Sequence, residues 1–198
     1  MNKLVIDIET RNTFAEAGSS EPRDLDISVV CAYDYATDAY TSYTQETLNK
    51  LWPLVEKSDM LITFNGDHFD IPLLDKYYPG NLMAIKSLDL LREIKNSIGR
   101  RIKLDTIAAA TLGKNKIAHG LEAITWWKEG KIDQIIKYCL EDVKITKEVY
   151  DYAMKNGELK YKDFGALGST ETNIKPIKLN TKDWEKKVEH AMTFTLPF

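Results

Sequence analysis

Cysteine is almost missing from this chain: Cys31 and Cys139 are the only two in 198 residues. Both lie inside apolar runs and form no CxxC pair, so a disulfide framework is excluded and two buried thiols in a reduced intracellular setting are expected. No apolar run approaches the ~20 residues that span a bilayer, and no basic-plus-apolar leader precedes Leu4, so the expected location is the cytoplasm. Basic charge is not in excess either. The 27 Lys and Arg face 30 Asp and Glu, a net charge of −3, which excludes a generally basic nucleic-acid coat while leaving room for a local groove. No internal repeat is visible. What remains, 43% hydrophobic and 29% charged residues over this length, fits one globular domain with an ordinary core and an appendage.

Strands are expected over 3–9, 27–35, 38–44 and 59–66, with a short extended piece at 85–89. The segment 45–58 has helical spacing, interrupted by Pro53, and 71–78 reads as a short helix stopped before Pro79-Gly80. Further helices are expected near 90–97, 103–112 and 120–129, and a long one over 132–155 ending at Asn156-Gly157. Three strands in meander followed by alternating helix and strand predict an α/β fold with a mixed sheet covered by helices. Residues 11–26 form a polar connection long enough to act as a flap. The tail from Gly157 reads as a strand (158–164), a Gly-, Ser- and Thr-rich linker and a last helix over 181–192.

The chemistry begins in Leu4–Thr10, "LVIDIET", an apolar strand that carries two carboxylates. Asp7 and Glu9 are two residues apart, so they share one strand face at roughly 6–7 Å along the backbone. Two anions beside a core repel each other unless something positive joins them. The stretch "FNGDHFDIPLL" sets Asn65, Asp67, His68 and Asp70 at a strand end and helix start, where turns present polar groups to ligands. The stretch "YCLEDV" sets Tyr138 and Asp142 at i and i+4 of a helix whose face, with Ile132, Ile136, Cys139 and Val143, borders the core. Taken singly, each has a structural reading: an Asp at a helix start is commonly an N-cap, and a Tyr four before an Asp is commonly surface.

In order, Asp-x-Glu on a first strand, Asn-x4-Asp after a later strand and Tyr-x3-Asp on a C-terminal helix resemble the motif set of the DEDD exonucleases of the RNase H-like superfamily. Tyr138, where a sister group has His, makes the chain similar to the DEDDy subgroup, which includes proofreading domains of family A and B DNA polymerases. The stretch from Leu104 to Thr146 looks like stand-alone proteins of the YprB type. The resemblance runs from about Leu4 to Tyr152. It implies a five-stranded RNase H-like sheet flanked by helices on both faces over 1–156, with 157–198 as an extension.

It further implies a metal-dependent 3′–5′ exonuclease that releases nucleoside monophosphates from single-stranded ends, DNA favoured over RNA. Carboxylates are hard ligands suited to Mg2+ or Mn2+. By the family pattern Asp7 joins two divalent ions, Glu9 and Asp142 complete one site, Asp70 supports the second through water, and Tyr138 orients the attacking water. Thr10 would meet the terminal 3′ hydroxyl. Asn65 either contacts a sugar or phosphate or only shapes its turn, and Phe69 either stacks on a terminal base or belongs to the core. His68 is expected in solvent, His119 beside a helix start, and Trp126 and Trp127 as one core anchor and one partly exposed ring.

A basic segment, Lys86, Arg92, Lys95, Arg100, Arg101, Lys103, Lys114 and Lys116, is either a solvated face or, with the flap, the surface that holds the strand. The last residues, "TFTLPF", resemble peptides that dock on the bacterial sliding clamp, with Leu196 and Phe198 as anchors; a terminal strand or a tail that plugs the core is the other reading. An RNase H-like endonuclease or resolvase, and a non-catalytic binding module, are the rival classes. Four intact acids argue against the second, and Tyr138 with Asp142 against the first.

Overall fold

The computed structural model describes residues 1–114, 120–163 and 173–186. Five strands, β1 (Lys3–Thr10), β2 (Ile27–Asp34), β3 (Ala39–Thr44), β4 (Met60–Thr63) and β5 (Lys86–Asp89), form one mixed sheet in the order β3-β2-β1-β4-β5. β1 to β3 are an antiparallel meander, and β4 and β5 run parallel to β1. Only a strand covered on both faces can be apolar throughout, and β2 is buried from Ile27 to Tyr33, whereas edge strand β3 alternates.

The helices are α1 (Phe14–Ala17), α2 (Trp52–Lys57), α3 (Asp70–Asp75), α4 (Leu90–Ile98), α5 (Leu104–Leu112), α6 (Gly120–Lys128) and α7 (Ile132–Asn156). Alternation along β1 divides the core. Leu4, Ile6 and Ile8 pack with Val55 of α2 and Ile71, Leu73 and Leu74 of α3. Val5 packs on the other face with Ile94 of α4, Ile107 of α5 and Cys139, Val143 and Val149 of α7. The expected α/β sheet with helices on both faces is therefore present. Among the described residues, no helix is long and apolar enough to cross a membrane.

Four local expectations need correction. Segment 45–58 is a 3-10 turn (Gln45–Lys50) followed by α2, because Pro53, which has no N–H to donate, sits in the first turn and starts a helix there. β4 stops at Thr63, since Asn65 takes a left-handed φ of 74° and turns the chain. Residues 11–26 hold α1, closed by a Thr13–Glu16 capping box, and a 3-10 turn at Pro22–Asp24. The tail pairs β6 (Glu158–Asp163) with β7 (Asn173–Lys178), which falls where a linker was expected. Pro176 masks β7 in the sequence, yet a two-stranded ribbon leaves one edge that needs no N–H. Thr181–Asp183 is a 3-10 turn, and Trp184 after it stacks on Tyr150 of α7 at 6.1 Å. Residues 187–192 of the expected last helix lie outside the described residues.

Candidate active site

β1 carries Val5, Asp7 and Glu9 on the face that α7 covers. Small thiols let the helix come close. The Cys139 thiol donates to the main-chain oxygen of Asp7 at 3.3 Å. Cys31, opposite Asp7 in the β1–β2 ladder, reaches the carbonyl of Ile136 at 3.8 Å. With α7 seated there, its Tyr138–Asp142 face meets β1, and ligand oxygens of Asp7, Glu9 and Asp142 lie within 4.8 Å of one another. Asp142 is buried and the other two are half-buried. At an effective dielectric of about 20, such a spacing costs on the order of 3–4 kcal/mol per ionised pair. A hard divalent cation would turn that repulsion into attraction, and an all-carboxylate donor set suits Mg2+ or Mn2+.

Tyr138 is buried beside this group. Burial pushes its phenol far above the usual tyrosine range, and the negative charges of Asp142, Glu9 and Asp7 add to the push. The ring is held by Trp126 of α6, edge-on at 5.9 Å.

Asp70 arrives from the other side of the sheet's end. The parallel register Val5↔Ile62 carries Asp7 and the residues after β4 to the same edge. Asp70 is the first residue of α3, whose N-cap is Phe69, so it does not cap the helix. It is 4% exposed, and its Oδ1 is buried without a hydrogen-bond partner among the described residues. Burial pushes its pKa up to about 7, the charge of Asp89 adds to this, and the amides of Asp70 and Ile8 act the other way. Ile8 sits between Asp7 and Glu9, so Asp70 abuts β1 next to the three-carboxylate group without belonging to that tight set. A buried, orphaned carboxylate oxygen is costly, and a second cation would relieve it.

The turn that delivers Asp70 is over-determined. Asp89 Oδ1 accepts from the amides of Asn65 at 2.8 Å and Leu91 at 2.9 Å, and Oδ2 from Asp67 at 3.3 Å. One carboxylate thus caps α4 and pins the left-handed Asn65. Gly66 has no alternative: a Cβ there would lie 2.3 Å from Cβ of Thr63. Sequence reasoning gave Asp89 no role, although an Asp directly before "LLREI" carries an N-cap signature.

The remaining candidates separate. Glu9, Thr10, Phe14, Leu25, Phe69 and Ile124 line a cleft of about 370 Å3 beside the carboxylates. The Thr10 hydroxyl donates to Asn12 at 3.0 Å. Phe69 is half-buried and meets Phe14 edge-on at 6.3 Å. Phe14 was missed because nothing in 11–26 signals that one exposed ring folds back to the site. Asn65 accepts from the Arg101 guanidinium, and Arg100 pairs with Asp163 at 3.4 Å over the ring of Tyr161.

The basic segment does not form one patch. Arg92 is taken by Asp67, Lys114 by Glu148, and Lys86 by the carbonyls of Asp183 and Lys186. His68 is exposed, Trp126 and Trp127 are both half-buried, and Arg11 lies over the Trp127 ring at 4.3 Å. His119, Lys116, Leu196 and Phe198 lie outside the described residues.

A family model of the RNase_H superfamily matches residues 4–154. The chain is 27% identical over 140 residues to a DNA polymerase of Thermococcus aggregans, a match covering 54% of this chain and 8% of the polymerase. It is 26% identical over 140 residues to a DNA polymerase of Thermococcus litoralis, with the same two shares of 54% and 8%. The family B DNA polymerase of the hyperthermophilic archaeon Pyrobaculum calidifontis superposes with a TM-score of 0.61 at 16% identity, over 78% of this chain and 24% of that one. RNase D of Trypanosoma brucei superposes with a TM-score of 0.55 at 17% identity, over 76% of this chain and 56% of that one. The chain thus corresponds to a small part of the polymerases, and the structural likeness concerns the fold.

Proposed function

The chain belongs to the RNase_H superfamily, and from that premise we propose that it is a metal-dependent 3′–5′ exonuclease of the DEDDy type, acting on single-stranded nucleic acid with DNA favoured over RNA. The observation that carries the reading is Tyr138, buried against the Asp7, Glu9 and Asp142 carboxylates at the same sheet edge as the buried Asp70.

Asp7, Glu9 and Asp142 would hold one divalent ion, with Asp70 serving a second, Mg2+ or Mn2+. When bound, such ions supply Lewis acidity toward a phosphodiester and lower the pKa of water. Burial holds the Tyr138 phenol above the usual tyrosine range, which favours the protonated hydroxyl, and in that form it would orient a water by hydrogen bonding. Trp126 limits the swing of the ring. The cleft beside Glu9 would take the terminal nucleotide, with Phe14 and Phe69 as walls for a base, so that each cut releases a nucleoside monophosphate.

A closed circular single strand tests the end requirement directly. Incubated with the protein and Mn2+ beside a linear strand of the same sequence, the circle should persist while the linear strand is consumed. Cleavage of the circle would establish an endonuclease on the same carboxylates.

A further inference from the structure

The chain between α4 and α5 runs along β6 and encloses a second cleft, of about 300 Å3, lined by Arg100, Arg101, Lys103, Thr106, Lys162 and Asp163. Four cations face one acid, and that acid is already engaged. Asp163 pairs with Arg100 at 3.4 Å and with Lys175 at 2.5 Å. Arg100 also lies over Tyr161 at 4.8 Å, so its charge is spent on fastening β6 to the core. Arg101, Lys103 and Lys162 are exposed, and among the described residues none of the three pairs with an acid.

The ribbon that carries Lys162 is anchored on both of its strands. The Thr111 hydroxyl donates to the Lys160 carbonyl at 3.0 Å and accepts from the Lys160 amide at 2.9 Å. Ser97 donates to the Lys178 carbonyl at 2.7 Å, and Leu159, Tyr161 and Ile177 are buried in the main core. Lys162 is therefore carried on an anchored ribbon. Three like charges with no acidic ion-pair partner among the described residues repel one another, and a polyanion relieves this.

The cleft is also joined to the acidic site. Arg101 donates to Asn65, which stands in the turn that leads into Asp70. The family match ends at residue 154, so Lys162 and its ribbon lie beyond the shared fold. We propose that this cleft binds the sugar-phosphate backbone of the single strand on the 5′ side of the nucleotides entering the acidic site. Arg101, Lys103 and Lys162 each meet a phosphate, and no base is read. The inference rests on the nuclease reading above, and its test is separate from turnover.

Binding of a fluorescent single-stranded oligonucleotide is measured by anisotropy in EDTA, where no cleavage occurs, over a series of KCl concentrations. The double variant Lys103→Gln/Lys162→Gln should bind about tenfold more weakly and lose about 1.4 from its slope of log K against log salt, about 0.7 for each of two phosphate contacts on a single strand. Lys178→Gln, on the same ribbon but outside the cleft, should match wild type. In turnover assays with Mn2+ the double variant should raise KM and leave kcat unchanged. If affinity and slope are unchanged while the strand is still degraded, the cleft is overturned alone. If the strand binds through the cleft but is never degraded, the catalytic reading is overturned alone. A wild type that binds no strand overturns both.

Discussion

The Cys139 thiol donates to the main-chain oxygen of Asp7 at 3.3 Å, and this short approach of α7 to β1 sets Tyr138 and Asp142 against Asp7 and Glu9. A larger side chain at 139 would lift the helix. Cys139→Leu should cost about 1–3 kcal/mol by overpacking and lower nuclease activity well beyond its effect on folding at a temperature where it stays folded. Cys139→Ala keeps the spacing and should keep the activity. Urea unfolding and turnover on the same samples separate the two effects; a fully active Leu variant would show that this contact does not position the acids.

Three carboxylates within 4.8 Å are a strained arrangement in the absence of a cation. In EDTA, Asp7→Asn should therefore raise the urea midpoint, because it removes one of the repelling charges. Adding Mn2+ should reverse the order. Wild type gains about 2.7 kcal/mol at a hundred times its Kd, and the variant gains little. A wild type indifferent to Mn2+ would count against the metal site.

Gly66 has no room for a methyl group, since its Cβ would fall on Thr63. Gly66→Ala should force the Asn65–Phe69 turn to move and cost about 1–3 kcal/mol. Asp70 would move with it, so the Mn2+ response should weaken as well. A variant with wild-type stability would mean that the turn yields without disturbing its neighbours.

Phe14 is 39% exposed and touches Phe69 at the mouth of the terminal cleft. Stacking on a base is worth about 1–3 kcal/mol, so Phe14→Ala should raise KM for single strands roughly tenfold or more. Its thermal midpoint should hardly change, because α1 buries no residue. An unchanged KM would leave the ring without a role in substrate binding.

Asp7, Glu9 and Asp142 stood out in sequence because acids are out of place in an apolar strand or on a helix face that borders the core, whereas Asp70 and Tyr138 were singled out only through the motif resemblance. The sheet was legible for a similar reason, since a run such as "ISVVCAY" tolerates no solvent on either side. Asp89, Phe14 and Lys162 were not. Asp89 works through four amides supplied by two separate segments, Phe14 through a fold-back of the 11–26 segment, and Lys162 through a ribbon whose second strand is hidden by Pro176. The cap of Asp89 on α4 has a local signature, but its hold on Asn65 and Asp67, the fold-back of Phe14 and the ribbon under Lys162 depend on contacts distant in sequence, which no local pattern encodes. The break at Leu51 is a different case. Pro53 was visible, but whether it ends, kinks or starts a helix depends on the amide it leaves out.

The most direct measurement uses a 5′-labelled single-stranded DNA and the matching RNA, incubated with wild type or Asp142→Asn in Mg2+, Mn2+ or EDTA. A ladder shortening from the 3′ end with either metal, absent in EDTA and in the variant, and stronger on DNA, is the expected result. Strands left intact by the wild type in both metals, or an equal ladder from Asp142→Asn, would contradict it.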